Sequence, residues 1–181
     1  PGNAAPGERP PLVVHPHGGP HSRDHVGFAP EVQMLAARGY AVLQVNFRGS
    51  SGYGQAFQAK GYRDWGGRMQ DDLEDGVLHL VDQGLVDPTR VALYGASYGG
   101  YAALMGLVKT PDRYRCGASY AGVSDLLALL AESQHFVDIP DMNERAVGDR
   151  REDRELLEQR SPLRNAEKIR VPVLLGHGTG D

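Results

Sequence analysis

The stretch RVALYGASYGGYAALMGLV, residues 90–108, constrains the fold more than any other part of the chain. An apolar, β-prone run at 90–94 passes through a glycine-flanked serine directly into an alanine- and glycine-rich run of helical character. A strand that turns at once into a closely packed helix needs residues without side chains where the two meet, and Gly95 and Gly99 stand there. Around this unit, short apolar runs alternate with longer amphipathic ones. That alternation is the pattern of a mostly parallel sheet covered by helices on both faces, an α/β fold.

The periodicities predict strands at 12–15, 40–47, 90–94, 115–121 and 171–176. Helices are predicted at 30–38, stopped by Gly39, and at 101–108, packed on the sheet through Ala102, Ala103 and Gly106. A third helix, at 70–81, places Leu73, Val77, Leu80 and Val81 on one face and turns Asp71, Asp72, Glu74 and Asp75 mainly outward. The charged stretch from 132 to 168 is less regular, with room for one or two short helices such as 153–159. Residues 1–11, rich in proline, glycine and alanine, read as a loop entering the domain. Cys116 opens a strand and is expected to be an inert core residue.

Composition excludes several classes of function. The 181 residues and 40% hydrophobic content suit one compact domain, so 1–181 is read as a single domain. A formal charge of −4 with scattered Lys and Arg gives no basic stripe, so nucleic acid is not an expected partner. No apolar run reaches the ~18 residues that would cross a bilayer, and no membrane partner is expected. A lone cysteine forms no internal disulfide and is compatible with a reducing compartment, which slightly favours the cytoplasm. The acidic set at 71–75 complements a helix dipole more simply than it binds a metal, so neither metal nor cofactor is expected. Asp138 and Asp141 read as solvated loop carboxylates, and Trp65 as a packing anchor.

The chemistry concentrates at Gly95–Gly100. Ser97 in G-x-S-x-G, between a strand and a helix, has the setting of a nucleophile elbow, with helix N–H groups and the positive dipole end beside it. The plainer alternative is a glycine-rich turn whose serine caps the helix. A serine hydroxyl needs a base, and Asp181, just past the last apolar run, is placed to orient a histidine. All seven histidines precede Asp181. His177 is close in sequence, but its expected part is to support the HGTGD turn.

Four strings in order, HGGP at 17–20, NFRGSSGYG at 46–54, GASYGG at 95–100 and HGTGD at 177–181, resemble the motifs of the prolyl oligopeptidase family of serine peptidases. The likeness is strongest to its acylaminoacyl-peptidase and dipeptidyl-peptidase-like bacterial members. The resemblance implies an α/β-hydrolase fold, with Ser97 as nucleophile and Asp181 as the carboxylate behind a catalytic histidine. It further implies an oxyanion hole made by the Tyr53 hydroxyl and the Tyr98 N–H, with residues 17–20 as the wall and Arg48 bracing the 46–54 loop. Tyr53 also reads as a loop aromatic on the sheet edge. Val123 and Leu126, with Leu127, are candidates for an apolar substrate pocket or, alternatively, plain helix core.

Family members carry a propeller before this domain, and a last strand, a histidine loop and a helix after it. The chain is therefore expected to be incomplete at both ends, with its catalytic histidine a few tens of residues beyond Asp181 and little activity by itself. The expected partner is a peptide substrate, and a homo-oligomer is left open. Alternatives are an esterase of the same fold and a fragment without catalysis.

Overall fold

The computed structural model describes residues 7–133 and 139–179, with the backbone alone for 139–142. Among these residues five strands form one sheet: β1 (Leu12–Val14), β2 (Ala41–Leu43), β3 (Val91–Ala96), β4 (Cys116–Tyr120) and β5 (Val173–Gly176). Their spatial order is β2-β1-β3-β4-β5 and every pairing is parallel. Leu12 pairs with both Ala41 and Val91, which centres the sheet on β1 and β3. All three residues of β1 are buried, as expected of a parallel strand covered on both faces.

Among the described residues seven α-helices connect or cover the strands: α1 (Pro30–Ala37), α2 (Gln55–Ala59), α3 (Arg68–Asp82), α4 (Tyr98–Lys109), α5 (Leu126–Ser133), α6 (Ile139–Ala146) and α7 (Arg154–Gln159). A 3-10 segment, Pro162–Lys168, leads into β5. α4 is buried from Tyr98 to Val108, so its apolar residues on every side have partners. Its glycines let it lie close to the sheet: a Cβ on Gly106 would come within 2.5 Å of Leu93 Cδ1. α3 buries Met69, Leu73 and Val77, spaced four apart on one stripe.

Three expectations change. The second strand stops at Leu43 instead of running on to residue 47. Past that point Gln44 and Asn46 turn to Asp24: Gln44 donates to its carboxylate, and Asn46 both accepts its N–H and donates to its carbonyl. Cys116 is exposed, not core. β4 alternates, so Gly117 and Ser119 are buried while Cys116 and Tyr120 stand on the opposite face; α1 packs beside β2 and leaves that end of the sheet open. The acidic residues of α3 are not simply outward: Asp72 and Glu74 are partly buried and paired with Arg48 and Arg113, while Asp71 pairs with Lys109. Among the described residues no helix is long and apolar enough to cross a membrane.

Candidate active site

The strand-to-helix turn is as tight as its glycines require. β3 ends at Ala96 and α4 starts at Tyr98, so Ser97 alone makes the turn, at φ 56° and ψ −124°. That is left-handed backbone that a residue with a side chain adopts only at a cost of order 1–3 kcal/mol. Neighbouring contacts hold it: the Ser97 N–H donates to Tyr120 O at 3.0 Å and the Tyr101 N–H donates to Ser97 O at 3.0 Å. A Cβ on Gly95 would strike Gly99 O at 2.4 Å, and one on Gly99 would strike Pro16 O at 2.2 Å. Both neighbours must therefore be glycine. Ser97 is the single exposed residue between Val91 and Val108.

Loops from the carboxyl ends of the other strands gather at the same rim, where ligands bind in open α/β sheets. The loop after β1 brings Gly18 so close that a Cβ there would lie 3.6 Å from Ser97 Cβ. Gly19 follows at φ 117°, with its peptide to Pro20 in the cis form. This loop is tied to the one after β2. The His17 Nδ1–H donates to Gly18 O at 2.8 Å, which leaves Nε2 to accept the Ser50 hydroxyl at 2.8 Å. His21 Nδ1–H donates to Gly49 O at 2.8 Å and the Ser51 N–H donates to Ser22 O at 3.0 Å. Burial against Phe47 depresses the His17 pKa below its ordinary value, a shift that its Gly18 bond and Asp24 only partly oppose. Arg48 anchors the second loop to α3: its N–H and Nε donate to Asp72 Oδ2 at 2.8 Å each, and Nη2 to Oδ1 at 2.6 Å.

Beside Ser97 lies a cavity of about 340 Å³. Gly19, Pro20 and His21 form one wall, Tyr98 and Trp65 the next, and Val123 with Leu129, Asn143 and Ala146 the far side. Trp65 is 6% exposed and meets the Tyr98 ring edge-on at 4.6 Å. The buried Tyr98 ring also meets Phe47 and Tyr101, and its hydroxyl pKa is driven far up by desolvation, so it stays neutral. Its backbone N–H is the first of α4 and has no partner within the helix.

The sequence candidates do not all meet here. Ser97, Tyr98 and Val123 line one cavity. Leu126 does not: it is 0% exposed in the core, with its N–H bonded to Ser161 Oγ. Tyr53 is not part of that lining; it is 53% exposed, its hydroxyl accepts from Asn46 Nδ2 at 2.9 Å, and Phe57 and Arg23 flank its ring. His177 lines a different, apolar cavity with Leu104 and Val173. Asp181 and Asp138 fall outside the described residues, as does the Asp141 side chain. The cavity residues not anticipated as such are Trp65, His21, Leu129, Asn143 and Ala146. Only Trp65 carried a signal, an aromatic beside two glycines.

Comparison with known proteins agrees with this geometry. Residues 26–181 match the model of the prolyl oligopeptidase family. Dipeptidyl aminopeptidase BIII of Pseudoxanthomonas mexicana is 45% identical over 174 residues, which cover 94% of this chain and 25% of that protein. The human acylamino-acid-releasing enzyme is 31% identical over 180 residues, 94% of this chain and 24% of its own length. Among solved structures, a Mycobacterium tuberculosis puromycin-hydrolyzing peptidase superposes with a TM-score of 0.87 at 36% identity, over 95% of this chain and 26% of that one. The chain thus spans about a quarter of the length of these relatives. By its motifs, its parallel sheet and these matches, the chain belongs to the prolyl oligopeptidase family and has the family's α/β-hydrolase fold.

Proposed function

We propose that the whole protein is a serine peptidase that cleaves short peptides through an acyl-enzyme on Ser97. The observation that carries this is the exposed, strained serine at the mouth of a largely apolar cavity, flanked by backbone N–H groups. Ser97 Oγ attacks the scissile carbonyl while a histidine, oriented by Asp181, takes its proton. The same histidine returns that proton to the leaving amine. Water then attacks the ester, and Ser97 recovers its proton as the acid product leaves.

The Tyr98 N–H is one donor to the oxyanion. The second donor is the Tyr53 hydroxyl: it accepts from Asn46 Nδ2, which leaves its own O–H proton free to donate. Apolar Val123 and Leu129, with the Trp65 ring, suit the side chain of the residue that is acylated. The relatives carry names that denote peptide hydrolysis, including dipeptidyl aminopeptidase and acylamino-acid-releasing enzyme.

The test is to treat the whole protein with a fluorophosphonate and map the adduct. Labelling at Ser97, with turnover of blocked peptide amides, is expected. Labelling elsewhere, or none, overturns the nucleophile, and turnover of p-nitrophenyl esters without amides replaces peptidase by esterase. A Tyr53→Phe variant decides the oxyanion donor: a loss of about 100-fold in kcat is expected. A kcat within about twofold of the parent would remove the Tyr53 hydroxyl from that role.

A further inference from the structure

We propose that a second, cationic cavity behind the wall of the Ser97 cavity binds a carboxylate carried by the peptide substrate; this rests on the peptidase reading above. The cavity has a volume of about 470 Å³ and is lined by Arg48, Lys60, Tyr62, Arg63, Asp64 and Arg68. Four cations face one carboxylate, and that carboxylate is already occupied. Asp64 Oδ2 accepts the N–H groups of Arg68 and Met69 at the start of α3, and Oδ1 lies 3.8 Å from Arg160. Arg48 is held by Asp72, and Arg63 lies 3.4 Å from Asp153. The side chains of Lys60 and Arg68 have no hydrogen bond or ion pair among the described residues. Two uncompensated cations therefore share one concavity with two partly compensated ones. Lys60 and Arg68 are exposed, so the arrangement sets up a local positive potential that attracts an anion and weakens with salt.

The two cavities are joined by a thin wall. Tyr62 lines the cationic cavity, and its ring meets the His21 ring edge-on at 5.2 Å. The next residue, Arg63, is held at φ 56° and donates its N–H to Ala146 O at 2.8 Å. His21 and Ala146 both line the Ser97 cavity. The 5.2 Å between the Tyr62 and His21 rings corresponds to one or two residues of extended chain, at ~3.4 Å each. A guanidinium such as Arg68 matches a carboxylate with two parallel N–H donors, and Lys60 adds a point charge. The carboxylate is either the free C-terminus of a short peptide or an acidic side chain.

The experiment uses the whole protein and three peptides: one with a free C-terminal carboxylate, its carboxamide, and a carboxamide with Glu in the leaving portion. At low ionic strength KM for a carboxylate peptide is expected to be about tenfold below that of the plain amide, narrowing to about twofold in 0.5 M salt. Preference for the first peptide identifies the C-terminus, and preference for the third identifies a side chain. A Lys60→Met/Arg68→Met variant should lose the preference while keeping plain-amide turnover and fluorophosphonate labelling. A Lys60→Glu/Arg68→Glu variant should favour the amide. Equal KM for all three peptides, or a preference that survives both variants, overturns the proposal. Loss of Ser97 labelling in the parent would instead sink the peptidase reading, and then binding of the uncleaved carboxylate peptide, compared between parent and the Met variant, still decides the cavity.

Discussion

At the residue scale, Ser97 shows a conflict between stability and reactivity. Its φ of 56° costs of order 1–3 kcal/mol, which a glycine would not pay, although a glycine also loses about 0.5–1 kcal/mol more chain entropy on folding. The difference favours the glycine. We expect Ser97→Gly to raise unfolding stability by about 1 kcal/mol in urea titration while abolishing fluorophosphonate labelling. A destabilised variant would mean that the turn is not strained. His17 supplies a second residue-scale effect. Its folded pKa lies below the unfolded value of about 6.5, so as pH falls through 6.5 the unfolded chain takes up a proton that the folded one refuses. Stability is therefore complete above that pH and declines below it, by at most about 1.4 kcal/mol per pH unit. Urea midpoints at pH 7 and 5.5 should converge in a His17→Gln variant more than in the parent.

At the element scale, the wall beside Ser97 leans on the loop after β2, and the Arg48–Asp72 ion pair is what ties that loop to α3. Asp72 accepts three hydrogen bonds from Arg48, and residues 49–51 in turn hold His21, His17 and Ser22. Replacing the carboxylate leaves a partly buried guanidinium without its counter-charge. Asp72→Asn is expected to cost about 2 kcal/mol in urea titration. It should also slow labelling of Ser97 by about tenfold, because the loop that presents Gly18 and Gly19 is displaced. An Arg48→Lys change should fare no better, since an ammonium cannot reproduce the paired geometry. Stability loss without slower labelling would show that the loop is held by other contacts.

Across the whole molecule, the most exposed part of the sheet is the β4–β5 end. Leu174 and Leu175 are 72% and 68% exposed on the edge strand, with Tyr120 at 59% beside the exposed Cys116. A long apolar edge is a template for association. The 181-residue chain by itself should therefore self-associate with rising concentration in analytical ultracentrifugation, and a Leu174→Lys/Leu175→Glu variant should do so less. Cys116 should react with a maleimide under native conditions, whereas protection until unfolding would place it in a core. The same end of the sheet shows where sequence reading fell short. Strand position and order of elements followed from periodicity, but which face of β4 is covered depends on helices distant in sequence.

The local pattern alone determined the strand-serine-helix unit, because the clash of Gly95 with Gly99 leaves glycine no substitute there, and it determined the succession of apolar runs that builds a parallel sheet. Helices 68–82 and 98–109 differ from their predicted spans mainly at the ends, where periodicity is weakest. What only the tertiary structure decided is which side chains share a space. Trp65, Leu129 and Ala146 reach the Ser97 cavity from separate elements, while Tyr53 and Leu126, plausible by motif and by spacing, turn respectively to Asn46 and into the core. Helical and strand periods fix which face a residue occupies on its own element, but convergence is set by how elements pack across long sequence separations, and no local period encodes that.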